Sequence, residues 1–364
     1  MLLEENIIVR DVYEIERMLG EGAFAEVYRV KHKFLGKKQA LKIIKLPGLT
    51  LKDIEEILDE AVILSRISHP NVISVFDAGT VSINDGLYGF FTMEYIAGGN
   101  LETFWRYHSG NFISLNDTID IIRQVCRGLS VAHSENPPII HRDIKPQNIM
   151  IGYDSLGLRV VISDFGLARR VNPLTLIASA KGTRGFKPPE FLLNLDSCAG
   201  DVWAIGTTLY LMLTDRLPYP AARDMDILDG SCWNKPLIPP SSYNIRVNEA
   251  LDAIVFRSLA LNPENRYPNA MVMLEDLMKY KSPENEPGIG KKEDTDKTKS
   301  AIGSALRLRE ISIKEKLSEA LKLSKQANKL TEAADLLEEV LNQSPDLREK
   351  YENKLILWRH GVAM

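Results

Sequence analysis

The stretch that most narrows what this chain can fold into runs from residue 139 to 168, IIHRDIKPQNIMIGYDSLGLRVVISDFGLA. It sets an acid, a cation and an amide side chain, Asp143, Lys145 and Asn148, at short fixed spacing in one loop, and brings a second acid, Asp164, to the end of a hairpin. Such a set suits a metal-bound phosphate. A carboxylate such as Asp143 can accept the proton of a hydroxyl, and Lys145 can neutralise charge on a transferring phosphoryl group. Asn148 and Asp164 offer the hard oxygen ligands that Mg2+ prefers. His141 follows Ile139 and Ile140, which favours a packed histidine over a metal ligand.

Upstream, YEIERMLGEGAFAEVYRVKHKFLGKKQALKIIKL gives three runs of strand character separated by Gly-rich and charged breaks, the pattern of an antiparallel meander. In the first break, Gly20-Glu21-Gly22-Ala23-Phe24-Ala25, glycines would let backbone amides approach phosphate oxygens without a side chain in the way. The bland reading of the same break is a simple hairpin turn. Thr50-Leu51-Lys52-Asp53 reads as a capping box, and Ile54, Ile57, Leu58, Ala61, Leu64 and Ile67 recur at helical spacing, so this helix buries one face. Glu60 lies among those apolar neighbours and would need a cationic partner if turned inward. Residues 72–96 read as two more strands around Asn84-Asp85-Gly86, and Ala97-Gly98-Gly99 breaks the pattern.

Farther on, Ser114-Leu115-Asn116-Asp117 opens a long amphipathic helix through His133 carrying Ile119, Ile122, Val125, Cys126 and Leu129. Asp201 opens an almost wholly apolar helix to Leu213, which belongs in a core. From Ser282 to Ser304 the composition turns to Pro, Gly, Ser, Thr and charge, the signature of a flexible linker. Helical signals then return. Ile311, Leu317, Ala320, Leu321 and Ala327 fit one amphipathic helix, Ala333, Leu336, Leu337, Val340 and Leu341 another.

With HRDxKxxN and Asp164-Phe165-Gly166 both intact, residues 12–281 resemble the eukaryotic-type serine/threonine protein kinase family. The resemblance implies an α+β, two-lobed kinase fold with a small mainly β lobe at about 12–96 and a larger mainly α lobe at about 97–281. It implies ATP and Mg2+, with Mn2+ as an alternative ion. Carried onto this sequence, Asp143 and Lys145 are the catalytic pair and Asn148 and Asp164 hold metal. Gly20 and Gly22 cover phosphates, Val27 and Ala40 cover adenine, and Lys42, paired to Glu60, holds the α- and β-phosphates. Glu94 and Ile96 form the hinge behind which Met93 is the gatekeeper, and Met150 completes the nucleotide site. Two departures stand out: Ala25 replaces the third glycine of GxGxxG, and Pro188 replaces the Ala of Ala-Pro-Glu before Glu190.

By the same resemblance Thr183 contacts Asp143 and Lys145, which favours Ser/Thr over Tyr substrates, Asp201 bonds the catalytic-loop backbone, and Arg266 pairs with Glu190. Arg142, beside the acid, implies a cation that an acidic or phosphorylated activation segment must satisfy, with Thr175 and Ser179 as candidate sites and autophosphorylation expected. Residues 305–364 weakly resemble a tetratricopeptide repeat, and a generic helical hairpin or a coiled coil stays open; the tail is expected to dock on a protein partner, a second copy or the kinase lobe. The alternatives are a pseudokinase scaffold with nucleotide-gated partner binding, and a small-molecule phosphotransferase, which would lack Lys145 and the Arg266 partner.

Composition agrees with a protein substrate and not with nucleic acid, since a net charge of −4 comes from interspersed acids and bases. No apolar run reaches the ~18 residues of a membrane span. Three cysteines without CxxC spacing read as reduced thiols, so a cytoplasmic location is expected.

Overall fold

The structure is a computed structural model that describes the chain apart from residues 1, 23–24, 46–51, 53, 56–57, 59–60, 62–63, 85, 108–112, 155–156, 166–182, 194, 221–229, 282–315, 325–328, 344–350, 352–353, 356–357 and 359–364. The described residues form two compact units. One comprises Met1–Ile96, Leu115–Ile149 and Val160–Tyr280, the other Ala97–Ser114, Met150–Arg159 and Lys281–Met364.

The first unit begins with six strands: β1 Ile8–Val9, β2 Tyr13–Glu21, β3 Ala25–His32, β4 Lys38–Ile44, β5 Val75–Ile83 and β6 Gly86–Glu94. They pair antiparallel in the order β1-β2-β3-β4-β6-β5. The meander expected from the sequence is therefore present, and the leader before Val12 adds a strand that its length did not reveal. Side chains alternate across a pleated sheet, so each face has its own chemistry. Tyr28, Val30, Leu41, Ile43 and Phe90 pack on one face with Leu3, Val9, Tyr13, Ile15 and Ile83. Each side chain buried this way contributes about 1.5–3 kcal/mol. That cluster fixes the register, because a slip of one residue would turn the apolar set to water. The opposite face carries Val27, Ala40, Lys42, Phe91 and Met93.

Three helices follow in the same unit's core: α2 Leu115–His133, α3 Cys198–Thr214 and α5 Ala270–Lys279, with α4 Glu249–Ser258 beside them. Ile119, Ile122, Val125, Cys126 and Leu129 of α2 are buried as their spacing required. Helix α3 starts three residues before the expected acid. Its cap is Ser197, whose hydroxyl accepts from the Gly200 amide at 3.1 Å, and Asp201 lies in the first turn. Asn71 ties strand and helix regions together by donating to Gln124 Oε1 at 3.0 Å and to the Val160 carbonyl at 2.7 Å. The Arg123 guanidinium closes the end of α5 by donating to the carbonyls of Leu277 and Tyr280.

The second unit contains α1 Leu101–Tyr107 and α6 Leu330–Gln343, and residues 316–323 are helical as well. Ala320, Leu330, Ala333, Ala334, Leu337, Leu341 and Trp358 form its apolar cluster, with Leu317, Leu321 and Leu336 partly buried against it, while Ile311 and Ala327 of the first expected tail helix lie outside the described residues. Strands β7 Ile149–Asp154 and β8 Gly157–Ile162 form a two-stranded sheet. No helix among the described residues is long and apolar enough to cross a membrane.

Candidate active site

The loop at 141–148 is held by α3. Asp201, itself buried, accepts the backbone amides of His141 at 2.7 Å and Arg142 at 2.8 Å. Burial would raise its carboxyl, but the His133 bond at 3.0 Å and the two amides hold it below the ordinary range. The His133 ring takes the Ala270 amide on Nδ1 at 3.2 Å, so the proton that bonds Asp201 is on Nε2. His141 is wholly buried, and burial lowers its pKa. It accepts the Asp143 amide on Nδ1 at 3.2 Å and bonds the Ser163 carbonyl through Nε2 at 2.9 Å, with the Phe165 ring 4.4 Å away. This is the packed histidine the two preceding isoleucines implied.

Held this way, the loop turns sharply. Arg142 and Asp164 have φ of 67° and 56°, a left-handed region that non-glycine residues rarely occupy and that recurs where surrounding bonds over-determine the backbone. The Asp143 carboxylate is 28% exposed and lies in a cluster of donors. Lys145 Nζ is 2.7 Å from Oδ2, Asn148 Nδ2 donates to Oδ2 at 3.0 Å and to the Asp143 carbonyl at 2.8 Å, and Lys187 Nζ donates to Oδ1 at 3.0 Å. Burial would raise the pKa of Asp143, yet Lys187 and Lys145 draw it well below the usual carboxylate range. The group is therefore an anion at neutral pH. With both amide hydrogens turned to Asp143, Asn148 presents its Oδ1 as the ligand atom, the hard oxygen that Mg2+ prefers.

On the opposite face of the sheet, register brings together the residues expected at the nucleotide. Gly20 pairs with Val27, Val27 with Lys42, and Lys42 with Phe91, while Ala40 pairs with Met93. A Cβ added at Gly20 would meet nothing within 4 Å, and one at Gly22 only the Ala25 carbonyl at 3.7 Å. Packing within the chain does not require these glycines, which fits a loop kept bare for a phosphate to approach. Lys42 Nζ is 2.7 Å from Asp164 Oδ1, so the lysine joins the sheet to the second acid. Glu60, its expected partner, lies outside the described residues. Glu94 ends β6 and donates its amide to the Ser74 carbonyl at 2.9 Å. Ile96 closes the first unit, and Met150, on β7, belongs to the second.

Beyond the loop, Arg266 forks onto Glu190 at 2.6 and 2.7 Å, fully buried and stacked over Trp203 at 4.8 Å, as the resemblance implied. Arg142 Nε meets Asp196 Oδ2 at 3.0 Å, an acid past Glu190, while residues 166–182 of the segment expected to serve this cation lie outside the described residues. The candidate phosphosites Thr175 and Ser179 and the Thr183 side chain lie outside what the structure describes. Lys187 and Asp196 were missed in the sequence. A lysine before two prolines carries no pattern that distinguishes it from a solvated one.

Residues 13–355 match the protein kinase domain family, and the chain belongs to it. The match runs past the boundary expected near residue 281. Among curated relatives, a probable serine/threonine-protein kinase of Clostridium acetobutylicum is 30% identical over 279 residues, covering 76% of this chain and 41% of the relative. The serine/threonine-protein kinases PknB of Mycobacterium leprae and Mycobacterium tuberculosis are each 30% identical, covering 81% of this chain and 47% and 46% of theirs. This chain thus spans under half the length of these relatives. The crystal structure of the Mycobacterium tuberculosis PknI kinase domain superposes with a TM-score of 0.57 at 22% identity, over 76% of this chain and 99% of that one. The fold is accordingly that of the protein kinases, with a β-sheet N-lobe and a helical C-lobe.

Proposed function

We propose that this chain is a serine/threonine protein kinase that transfers the γ-phosphate of ATP to protein hydroxyls. The observation that carries the reading is the Asp143 carboxylate, anionic and ringed by Lys145 and Asn148, in a chain whose family takes ATP and Mg2+ in general. Asp143 orients the substrate hydroxyl and accepts its proton as the hydroxyl oxygen bonds to the γ-phosphorus and the bond to the β–γ bridging oxygen breaks. Lys145 offsets the charge on the transferring group. Lys42 positions the α- and β-phosphates beneath Gly20 and Gly22, with Val27 and Ala40 against the adenine and Glu94 and Ile96 at its edge. Asn148 Oδ1 and Asp164 would hold Mg2+, which when bound draws off negative charge from the phosphate oxygens.

The finer parts of the reading are also proposals. Activation includes autophosphorylation at Ser179. The kinase domain ends near residue 281, a linker follows, and the tail helices, with a TPR-like or simpler hairpin arrangement, recruit a protein partner or a second copy. The three cysteines are free, with Cys126 and Cys232 buried, which supports a reducing, cytoplasmic setting.

The test is labelled phosphate transfer from ATP to Ser-, Thr- and Tyr-containing peptide libraries by the full chain and by Asp143→Asn. Removing the general base should lower kcat by about 100- to 10,000-fold. Equal signal from both proteins would refute catalysis at Asp143, and mass spectrometry of active enzyme with residue 179 unmodified would remove Ser179.

A further inference from the structure

Lys187 is the member of the cluster that no motif assigns. Its side chain is 12% exposed, and its ammonium has two partners: Asp143 Oδ1 at 3.0 Å and the Arg142 carbonyl at 2.8 Å. A lysine serving only as a tether would be expected on structural groups. These two acceptors are instead the reacting carboxylate and the carbonyl of the residue before it, whose φ of 67° needs support from outside. The two ends of the Lys187 segment are fixed as well. Phe186 is buried, and Glu190 is gripped by Arg266 through two bonds.

The distribution of bonds over the carboxylate is uneven. Oδ2 has Lys145 and Asn148, which fills the two acceptor positions of an oxygen, whereas Oδ1 has Lys187 alone among the described residues. Taking Asp143 as the catalytic acid–base group, as proposed above, we infer that Lys187 is a positioning residue that fixes the Asp143 side chain and the Arg142 peptide together. Order in the segment that ends at Glu190 is thereby passed to the catalytic loop through one ammonium. Misplacing a reacting group by about 1 Å can cost on the order of 100-fold in rate, so a contact of this kind is worth keeping.

The experiment compares kcat, KM for ATP and KM for peptide in the full chain for wild type, Lys187→Met, Lys187→Gln, Lys187→Arg and, in parallel, Asp143→Asn. Thermal unfolding and ADP titration establish that each variant is folded. Lys187→Met is expected to lower kcat by roughly 10- to 100-fold while KM for ATP stays within about twofold, and Lys187→Arg, which can donate to both acceptors, is expected to recover most of the rate. If the methionine variant does not fold, the glutamine variant is read the same way. A wild-type kcat in Lys187→Met or Lys187→Gln overturns the proposal, and so does an increase, which would make the lysine a brake on the acid. So does a loss carried wholly by KM for ATP. Full activity in Asp143→Asn would instead sink the assignment of the acid on which this inference rests.

Discussion

Two carboxylates in this molecule are each held by cations, and they are held for different purposes. Glu190 and Arg266 form a fork whose guanidinium is 0% exposed, with two parallel bonds and an aromatic lid. Asp143 is 28% exposed and meets two ammonium groups and an amide on separate geometries. The fork spends its whole bonding capacity within the protein, so nothing is left for a substrate. The Asp143 cluster keeps part of its carboxylate exposed, as the proposed role of that acid requires. Burial with a bidentate partner makes a clamp, while partial exposure with several single partners makes a reagent.

The contrast can be broken at either end. Asp143→Asn should abolish most turnover yet cost less stability than breaking the fork, because the Asp143 carboxylate is partly exposed while the guanidinium of Arg266 is not; a loss of Tm as large as that of Arg266→Ala would show that the cluster is a structural clamp after all. Arg266→Ala should do the reverse. Breaking a buried pair strands Glu190 without its cation and should cost about 3–5 kcal/mol of stability, read by chemical denaturation. A cost below about 1 kcal/mol would mean that the fork is not holding the segment.

Asp201→Asn lies between the two. The amide keeps one oxygen acceptor and turns its NH2 onto the other of the His141 and Arg142 N–H groups, and losing a bond to a charged acceptor costs about 1.5–3 kcal/mol. Both kcat and Tm should fall, and a variant that lost only one of them would separate the loop's position from its stability.

The smallest effect concerns pH. Glu26 is buried on β3, where burial would raise its pKa, but the Tyr28 hydroxyl, the Leu2 amide and Lys45 bring it from 4.5 down to about 2. A depressed folded pKa means stability present above about 4.5 and lost as pH falls from there towards 2. Glu26→Gln should therefore be less stable than wild type at neutral pH, with the gap narrowing below about pH 4.5. An unchanged gap would refute the assignment.

Most of the site was legible because its chemistry demands particular residue types at short spacing. His141 to Asn148 and Asp164 are close in sequence, and a local turn suffices to gather them. The row Gly20, Val27, Lys42, Phe91 was legible to the extent that strand alternation and turn residues define register. Other features were out of reach. Lys187 is 44 residues from Asp143, a distance over which no local pattern operates, while the bond of Asp201 to the loop backbone, 60 residues from its own position, was reached only through the family resemblance. For Arg142 the structure adds Asp196, an acid past Glu190 that no motif pointed to.

What the sequence by itself determined is the class of chemistry and the elements that bear it, because periodicity, capping and turn preferences are properties of neighbouring residues. Tertiary structure alone decided which cations reach the Asp143 carboxylate, which oxygen each one takes, and which acids are buried as clamps. Those outcomes depend on packing between segments far apart in the chain, where burial sets the strength of a charge and geometry sets its partner.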